Sequence, residues 1–417
     1  MSWTKEEKSI LWITSANHFL VHIIEMGFPA LVIPLSQYFG LSLGASIALC
    51  QGLYLAYGFG ALPAGIISDK WNIRYMLGIG ALGSAAACFA ASAAPNAATL
   101  VIALTFLGLF ASIYHPTGIS LITHSVSQRG KALGLNGVCG NIGFAVAPLI
   151  AGFSNYFWGW RSCFIVIGLI ALVVGLSAFL MNAIPPKPQE RHAPGTAEEK
   201  QLAAYFVMVC VIILVAGLLY RAVTVSIPAY MENFGPSVAA GITQAVKDPI
   251  RNLTANMFVF VIYSGGILGQ FLGGMLADRY DLRKAYLLYY IGIIPMALMM
   301  AVARNYSLVA AAAGLIFFTL GMQPIENSLI ARLTPVRWRS TAFGFKFILG
   351  LGVGSLAVSL VGYTQGRFGF PSVFIMSSCI SAVVAALIMV LWFISRKMQI
   401  KNIHKPLHSA DLVIEQD

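Results

Sequence analysis

The sequence predicts an all-α membrane protein, with twelve transmembrane helices in two pseudo-symmetric six-helix halves. Hydrophobic residues make up 58% of the chain and charged residues only 10%, with a mean hydropathy of +0.80. Soluble domains typically carry about a quarter charged residues. An internal repeat at half the chain length predicts the two halves. A β-barrel is excluded because the apolar runs are continuous and do not alternate with polar residues.

Twelve apolar segments are long enough to cross a bilayer, which takes roughly 20 residues. They lie near residues 11–35, 44–68, 75–94, 97–125, 131–156, 159–182, 201–230, 255–277, 285–303, 306–333, 341–364 and 371–396. No early segment ends in a cleavage-like site followed by a soluble domain, so we expect no removable signal peptide.

One charged and proline-rich stretch divides the chain. Residues 183–200 contain four prolines among acidic and basic side chains, a composition that neither enters lipid nor forms a continuous helix. The predicted domains are an N-terminal six-helix bundle at 1–182, a cytoplasmic linker at 183–200, a C-terminal six-helix bundle at 201–396 and a cytoplasmic tail at 397–417.

The net charge of +11 reflects membrane topology. Most of the 26 lysines and arginines fall in the N-terminus, the even-numbered loops, the linker and the tail. The positive-inside rule places those segments in the cytoplasm. We therefore expect a multi-pass protein of the cell (inner) membrane with both termini cytoplasmic. Its expected partners are a small-molecule solute, protons and the lipid bilayer. We expect a monomer, with no nucleic-acid partner.

A ten-residue loop occurs twice and organises the chain. Gly65-Ile-Ile-Ser-Asp69-Lys70-Trp-Asn-Ile-Arg74 returns 209 residues later as Gly274-Met-Leu-Ala-Asp278-Arg279-Tyr-Asp-Leu-Arg283. An acidic side chain there can pair with a base or with the positive end of a helix dipole. A loop that recurs once, half a chain apart, indicates that the protein arose by internal duplication.

With this loop the chain resembles the major facilitator superfamily across nearly its whole length. The two copies are similar to that family's signature between helices 2 and 3 and its degenerate copy between helices 8 and 9. The stretch Pro148–Gly152 is similar to a helix-5 motif of antiporters, and Trp158-Gly-Trp160-Arg161 to the start of helix 6. The resemblance implies a secondary transporter in which this loop forms a conformational latch at the cytoplasmic face. The residues that match the latch are Gly65, Asp69, Lys70, Arg74, Asp278 and Arg279.

A finer resemblance points to the fosmidomycin-resistance-type branch of drug and metabolite transporters. It rests on His18-Phe19, His22 and Pro29 in the first segment and on Tyr114-His115-Pro116 in the fourth. Members of that branch often carry an arginine early in helix 4 that is linked to proton coupling. Residues 104–108 of this chain contain no arginine.

Three polar side chains share one face of the first segment. At about 100° per residue, His22 lies about 40° and Glu25 about −20° round from His18. A polar stripe faces the bundle interior, where Glu25 or a histidine can accept a proton. The alternatives are an interhelix hydrogen-bond cluster and, by ligand type, a metal site of His18, His22 and Glu25.

Four further groups interrupt apolar segments and are candidate solute-binding or proton-coupling residues. They are His115, Arg221, Glu326 and Lys346. The guanidinium of Arg221 suits a carboxylate or phosphate. Glu326 can pair with Lys346 or titrate, whereas Lys346 can instead extend to the membrane surface. His115 can bind a ligand or the carbonyl freed by Pro116.

These features predict a secondary active transporter of a small anionic or zwitterionic organic solute, working by alternating access and coupled to protons. No nucleotide-binding loop occurs in the sequence, and we expect no cofactor and no enzymatic activity. The alternatives are an importer or exporter of a metal ion or carboxylate siderophore, an intramembrane metalloenzyme, and a receptor that binds solute without moving it. The sequence leaves the solute, the direction and the coupling stoichiometry open.

Overall fold

The computed structural model describes residues 3–68, 71–180, 197–236, 244–334 and 339–396. These residues contain twelve helices long and apolar enough to cross a membrane, which confirms the predicted number. They are α1 (Lys5–Phe39), α2 (Leu43–Ser68), α3 (Ile73–Ser92), α4 (Ala97–Ile122), α5 (Lys131–Trp158), α6 (Trp160–Ala178), α7 (Tyr205–Phe234), α8 (Asp248–Arg279), α9 (Leu282–Val302), α10 (Asn305–Leu333), α11 (Ala342–Phe368) and α12 (Pro371–Ser395).

Two of these spans belong to helices that begin at least four residues earlier in the chain. The helix that contains α7 begins at Ala197, inside the predicted linker, and the helix that contains α8 begins at Gln244. Residues 181–196 and the tail at 397–417 lie outside the described residues. The domain boundaries at 182/183, 200/201 and 396/397 therefore stay predictions.

Polar residues at the helix starts supply the hydrogen bonds that the first turns lack. Thr4 and Glu7 form a reciprocal capping box at the start of α1, with distances of 2.8 and 3.1 Å. Asn72 caps α3, and Asp281 caps α9 at the equivalent position of the second half. Such caps stabilise a helix by about 1 kcal/mol each.

The turns that follow α5 and α11 show the internal duplication in three dimensions. Gly159 and Gly369 both adopt positive φ, 80° and 82°, a conformation that side chains disfavour. The hydroxyls of Ser162 and Ser372 donate to the carbonyls of these glycines at 2.7 and 2.6 Å. The two halves therefore repeat the same local hydrogen bonds, as the pseudo-symmetric fold requires.

The helices pack in equivalent pairs in the two halves. In the first half α1 packs on α5, α2 on α4 and α3 on α6; in the second, α7 packs on α11, α8 on α10 and α9 on α12. The halves meet where α5 packs on α8 and α2 packs on α11. Large apolar side chains such as Trp12 and Phe271 are exposed on the outside, where lipid would cover them.

Several spans are broken near the middle of the bundle. A 3-10 turn at Pro29–Leu31 interrupts α1, and α4 is interrupted just before Tyr114. A π-helical segment, Ile348–Gly352, interrupts α11 and is followed by a 3-10 turn, Val353–Leu356. Irregular backbone within a membrane is tolerated where it lines an interior site, and π segments often mark functional sites.

We use the term terminal face for the side on which α1 begins, and opposite face for the other side. Near the opposite face three asparagines join the halves. The Asn155 amide donates to Asn252 at 3.1 Å, and the amides of Asn252 and Asn256 donate to the Ala30 carbonyl at 3.0 and 3.2 Å. We call these four residues the opposite-face seal. In this conformation the halves are joined there.

Candidate functional site

The centre of the bundle contains an ion pair that crosses from one half to the other. Arg221 Nη2 in α7 lies 2.8 Å from Glu25 Oε1 in α1, and the two side chains are 0% and 2% exposed. Tyr54 in α2 supports both partners. Its hydroxyl donates to the Glu25 main-chain carbonyl at 2.7 Å, and its ring centre lies 3.6 Å from the guanidinium carbon of Arg221. Charged side chains buried this deeply are stable only when they are paired with an opposite charge and hydrogen-bonded.

A chain of hydrogen bonds runs from Glu25 along α1. Glu25 Oε2 lies 3.0 Å from His22 Nδ1, and His22 Nε2 lies 3.1 Å from His18 Nε2. His18 Nδ1 donates to the Asn136 carbonyl of α5 at 2.8 Å. We call His18, His22 and Glu25 the histidine relay. The structure thus places the three residues on one interior face, where the helical periodicity predicts them.

His115 closes this site from α4. Its ring lies 5.4 Å from that of His18 and 5.7 Å from that of His22, and it stacks on Phe347 of α11 at 5.0 Å. His115 is 8% exposed, and its Nδ1 has no hydrogen-bond partner among the described residues. The stack of His115 on Phe347 is a further contact between the halves, beside the Glu25–Arg221 ion pair.

A second charged cluster lies wholly in the C-terminal half. Lys346 Nζ of α11 is 2.9 Å from Glu326 Oε1 of α10 and also donates to Asn327 Oδ1. Tyr286 of α9 donates its hydroxyl to Glu326 Oε2 at 2.5 Å. Lys346 therefore turns inward to pair with Glu326, one of the two arrangements that the sequence leaves open, and its side chain is 15% exposed.

The histidines also meet a geometric requirement for metal binding, though with a different set of residues. One nitrogen each of His18, His22 and His115 lies within 4.8 Å of the others. Glu25 instead uses its two oxygens for Arg221 and His22. Because the facing nitrogens of His18 and His22 already form a hydrogen bond with each other, the geometry favours a hydrogen-bond relay.

The predicted latch is only partly described. Asp69 and Lys70 lie outside the described residues, and Asp278 and Arg279 are exposed. Gly65 is close enough to Pro116 that an added Cβ would lie 3.4 Å from its side chain. The role of these residues as a latch stays a prediction.

Arg74, assigned to the latch from the sequence, makes its described contacts inside its own half. Its guanidinium donates to the main-chain carbonyl of Phe179, at the end of α6, and lies 5.8 Å from that ring. Arg283, its equivalent in the second half, is buried and bonds Ser395 at the end of α12 at 2.5 Å. Each arginine thus ties the third helix of its half to the sixth.

Arg74→Ala is expected to lower the thermal stability of the purified protein, because it leaves the last carbonyls of α6 without this donor. Loss of a charged hydrogen-bond donor costs about 1.5–3 kcal/mol. Arg279→Ala is the matched control, since Arg279 is exposed, and exposed substitutions usually change stability by less than about 0.5 kcal/mol. A thermal-unfolding scan checks both variants. Equal melting temperatures for the two would contradict the structural role of Arg74.

Four residues of the site escape the sequence argument: Tyr54, Asn136, Tyr286 and Phe347. Tyr54 carries a usable signal, because Tyr263 repeats it 209 residues later, and Tyr263 likewise donates to a main-chain carbonyl, that of Thr224, at 3.1 Å. The other three are neutral side chains on apolar helices. Nothing in their local sequence distinguishes them from ordinary packing residues.

A model of one transporter family matches both halves of the chain. The model described as Major Facilitator Superfamily matches residues 14–247 and 209–410. The chain belongs to the Major Facilitator Superfamily. This superfamily consists of membrane transporters, so the protein is a multi-pass membrane transporter and not an enzyme. The finer resemblance to the fosmidomycin-resistance branch stays a prediction.

Two relatives cover most of this superfamily member. The glycerol-3-phosphate transporter of Bacillus subtilis is 25% identical over 390 residues, which are 85% of this chain and 86% of the relative. A probable hexose phosphate transport protein of Chlamydia pneumoniae is 22% identical over 376 residues, 83% of this chain and 82% of the relative.

A solved structure shares the fold of this superfamily member. The bacterial homologue of the human lysosomal transporter Spinster superposes with a TM-score of 0.77. The match covers 94% of this chain and 98% of that chain at 14% identity. At this identity the likeness concerns the fold alone.

Proposed function

We propose that this transporter moves a small organic anion, a phosphate ester or a carboxylate, by alternating access and in a proton-coupled manner. The observation that carries the proposal is Arg221, a fully buried arginine at the junction of the two halves. Two relatives named for glycerol-3-phosphate and hexose phosphate support the anionic class of solute.

Arg221 retains donors for a second anion. Nη2 bonds Glu25, while Nε and Nη1 are buried without a hydrogen-bond partner among the described residues. The buried hydroxyl of Tyr57 also has no such partner. Nη2 carries a second hydrogen, and with the neighbouring Nη1 or Nε it offers an edge of two parallel N–H groups that matches the two oxygens of a carboxylate or phosphate. Arg221 can therefore hold Glu25 on one side and a solute oxyanion on the other.

The same ion pair supports alternating access. Glu25 belongs to one half and Arg221 to the other, so an anion that draws Arg221 away from Glu25 weakens a contact between the halves. The opposite-face seal joins the halves in this conformation. A ligand shifts such an equilibrium only through its different affinity for the two states. Competition between the solute anion and Glu25 for Arg221 supplies this difference in affinity.

Proton coupling is proposed at Glu25, which releases Arg221 most readily when it takes up a proton. His22 lies 3.0 Å away and is partly exposed, 17% of its side chain. Histidine is the side chain whose charge changes near physiological pH. The carboxyl group of Glu25 thus has a proton donor beside it and a competing cation on its other oxygen.

Uptake by purified protein in liposomes tests the proposal. Glycerol-3-phosphate and glucose-6-phosphate are expected to accumulate, whereas glycerol and glucose, their neutral counterparts, are not. Arg221→Lys is expected to abolish accumulation, because an ammonium cannot hold Glu25 and a bidentate oxyanion together. Binding without accumulation would indicate a receptor. Equal movement of the neutral solutes, or full activity of Arg221→Lys, would contradict the proposal.

A further inference from the structure

The histidine relay makes three hydrogen bonds, which is one more than the N–H groups of two neutral histidines can supply. Its three contacts join His18 to the Asn136 carbonyl, His18 to His22, and His22 to Glu25, at 2.8, 3.1 and 3.0 Å. A carbonyl oxygen and a carboxylate oxygen only accept, and a neutral imidazole carries one N–H. Three contacts therefore need three hydrogens, and two neutral imidazoles provide two.

From this count we infer that the relay stores one proton beyond those of two neutral histidines and a carboxylate, and that the transporter carries one proton together with one monovalent anion. The inference rests on the proposed function and specifies its stoichiometry. His18 acts as a positioning residue, because its Nδ1–H donates to the Asn136 carbonyl. The Nε2 atom of His18 then faces His22 and carries either a lone pair or the extra proton.

The surroundings of the relay determine how much charge it can keep. Within the described residues, the titratable and charged groups that face it are Cys50, Tyr54 and Tyr57 of α2, Tyr114 and His115 of α4, Cys139 of α5, Tyr220 and Arg221 of α7, Tyr263 of α8, and Lys346 of α11 with its partner Glu326. Tyrosines and thiols are neutral near pH 7. The permanent charges are thus two pairs, Glu25 with Arg221 and Glu326 with Lys346.

The charge balance of these groups selects symport. Each of the two pairs sums to zero, so the stored proton leaves the site with one net positive charge. A monovalent anion neutralises that charge, and loss of both proton and anion also leaves a neutral site. Moving an uncompensated charge through the interior of a membrane protein is costly. The halves therefore rearrange when proton and anion are both bound or both absent.

Loss of the proton also changes the relay itself. With only two hydrogens for three contacts, one contact becomes a lone pair facing a lone pair or a carboxylate, which is repulsive. The change that costs the fold least is separation of His22 from Glu25, because Glu25 keeps its ion pair with Arg221. The relay in the described geometry thus corresponds to the proton-loaded state of the site.

Proteoliposomes that contain the pH-sensitive dye pyranine test this stoichiometry. Glycerate is the monovalent probe, and glycerol-3-phosphate, which carries a charge of about −1.5 to −2 near pH 7, is a second probe of anion binding. A transported probe is expected to acidify the lumen, and an inward proton gradient of one pH unit is expected to give about tenfold accumulation for one proton per anion. Two protons would give about 100-fold. A membrane potential set with potassium and valinomycin is expected to leave accumulation of the monovalent anion unchanged, because the loaded site is neutral.

Variants of the relay separate the proton from the solute. His22→Gln and His18→Gln are expected to keep exchange of labelled probe for unlabelled probe but to lose accumulation driven by the pH gradient. Tyr306→Phe, at an exposed position, serves as the control and is expected to keep both. Two variants are used because either one alone can fail to fold.

The outcomes distinguish this inference from the function on which it rests. Accumulation without proton movement, or a gradient response retained in both histidine variants, would overturn the stored proton. Accumulation that follows the membrane potential would overturn neutral symport. If neither probe binds nor accumulates in any form of the protein, the proposed anion transport itself fails.

Discussion

Glu25→Gln is expected to lower the free energy of unfolding by about 3–5 kcal/mol and to lower transport by about 100-fold. The substitution leaves Arg221 as a buried charge without its carboxylate, and removal of one partner from a buried pair has a cost of this size. The transport rate is also expected to fall, because a neutral amide cannot exchange a proton or release Arg221 on protonation. Thermal unfolding and initial uptake rates measure the two effects.

Two further variants make this prediction specific. Glu6→Gln changes the same residue type on the same helix at an exposed position, and it is expected to leave both measurements unchanged. The double variant Glu25→Gln with Arg221→Gln removes both charges and is expected to regain much of the lost stability without regaining transport. Recovered transport in the double variant would show that the ion pair holds the fold together and has no part in solute movement.

Gly58→Val is expected to stop transport by preventing the conformation described here. Gly58 of α2 lies against the backbone of α11, and a Cβ added at this glycine would lie 2.0 Å from the Gly352 nitrogen and 2.1 Å from its Cα. Backbone atoms cannot move aside as a flexible side chain can. Valine is therefore expected to force α2 and α11 apart, which favours conformations in which the halves are separated at this contact.

Transport and distance measurements together check this result. Spin labels at Ser42 and Arg367, both exposed on the opposite face, are expected to report a longer separation in Gly58→Val than in the wild-type sequence, in a cysteine-free background. Gly134→Val is the matched control, because a Cβ there would meet nothing within 4 Å. An unchanged distance with full transport in Gly58→Val would mean that this approach of the two halves is not part of the cycle.

In the proposed mechanism, proton coupling and anion binding share one small group of side chains around Glu25. Glu25 is shared, with one oxygen on Arg221 and the other on His22. A proton that reaches Glu25 through the histidines weakens its hold on Arg221, and an anion that binds Arg221 weakens its hold on Glu25. Both events act on the ion pair that joins the halves.

Local patterns were sufficient for the parts of this protein that depend on neighbours in the chain. Twelve spans follow from the length of continuous apolar segments, because each span needs about 20 residues to cross the hydrocarbon core. The common face of His18, His22 and Glu25 follows from the helical period. The internal duplication follows from a loop that recurs at a constant offset of 209 residues, and the residues of that loop carry the resemblance to the family.

The contacts of the candidate site depend on how the two halves assemble. Glu25 and Arg221 are 196 residues apart in sequence, and each has several other possible partners in the apolar segments. The stack of Phe347 on His115 depends on how α11 packs against α4, and the hydrogen bond from Arg74 to Phe179 depends on how α3 packs beside α6. Residues a few positions apart in the chain are enough to predict which helices form and which of their faces are polar. The pairing of charges across the two bundles depends on how distant helices pack, and it is visible only in the folded protein.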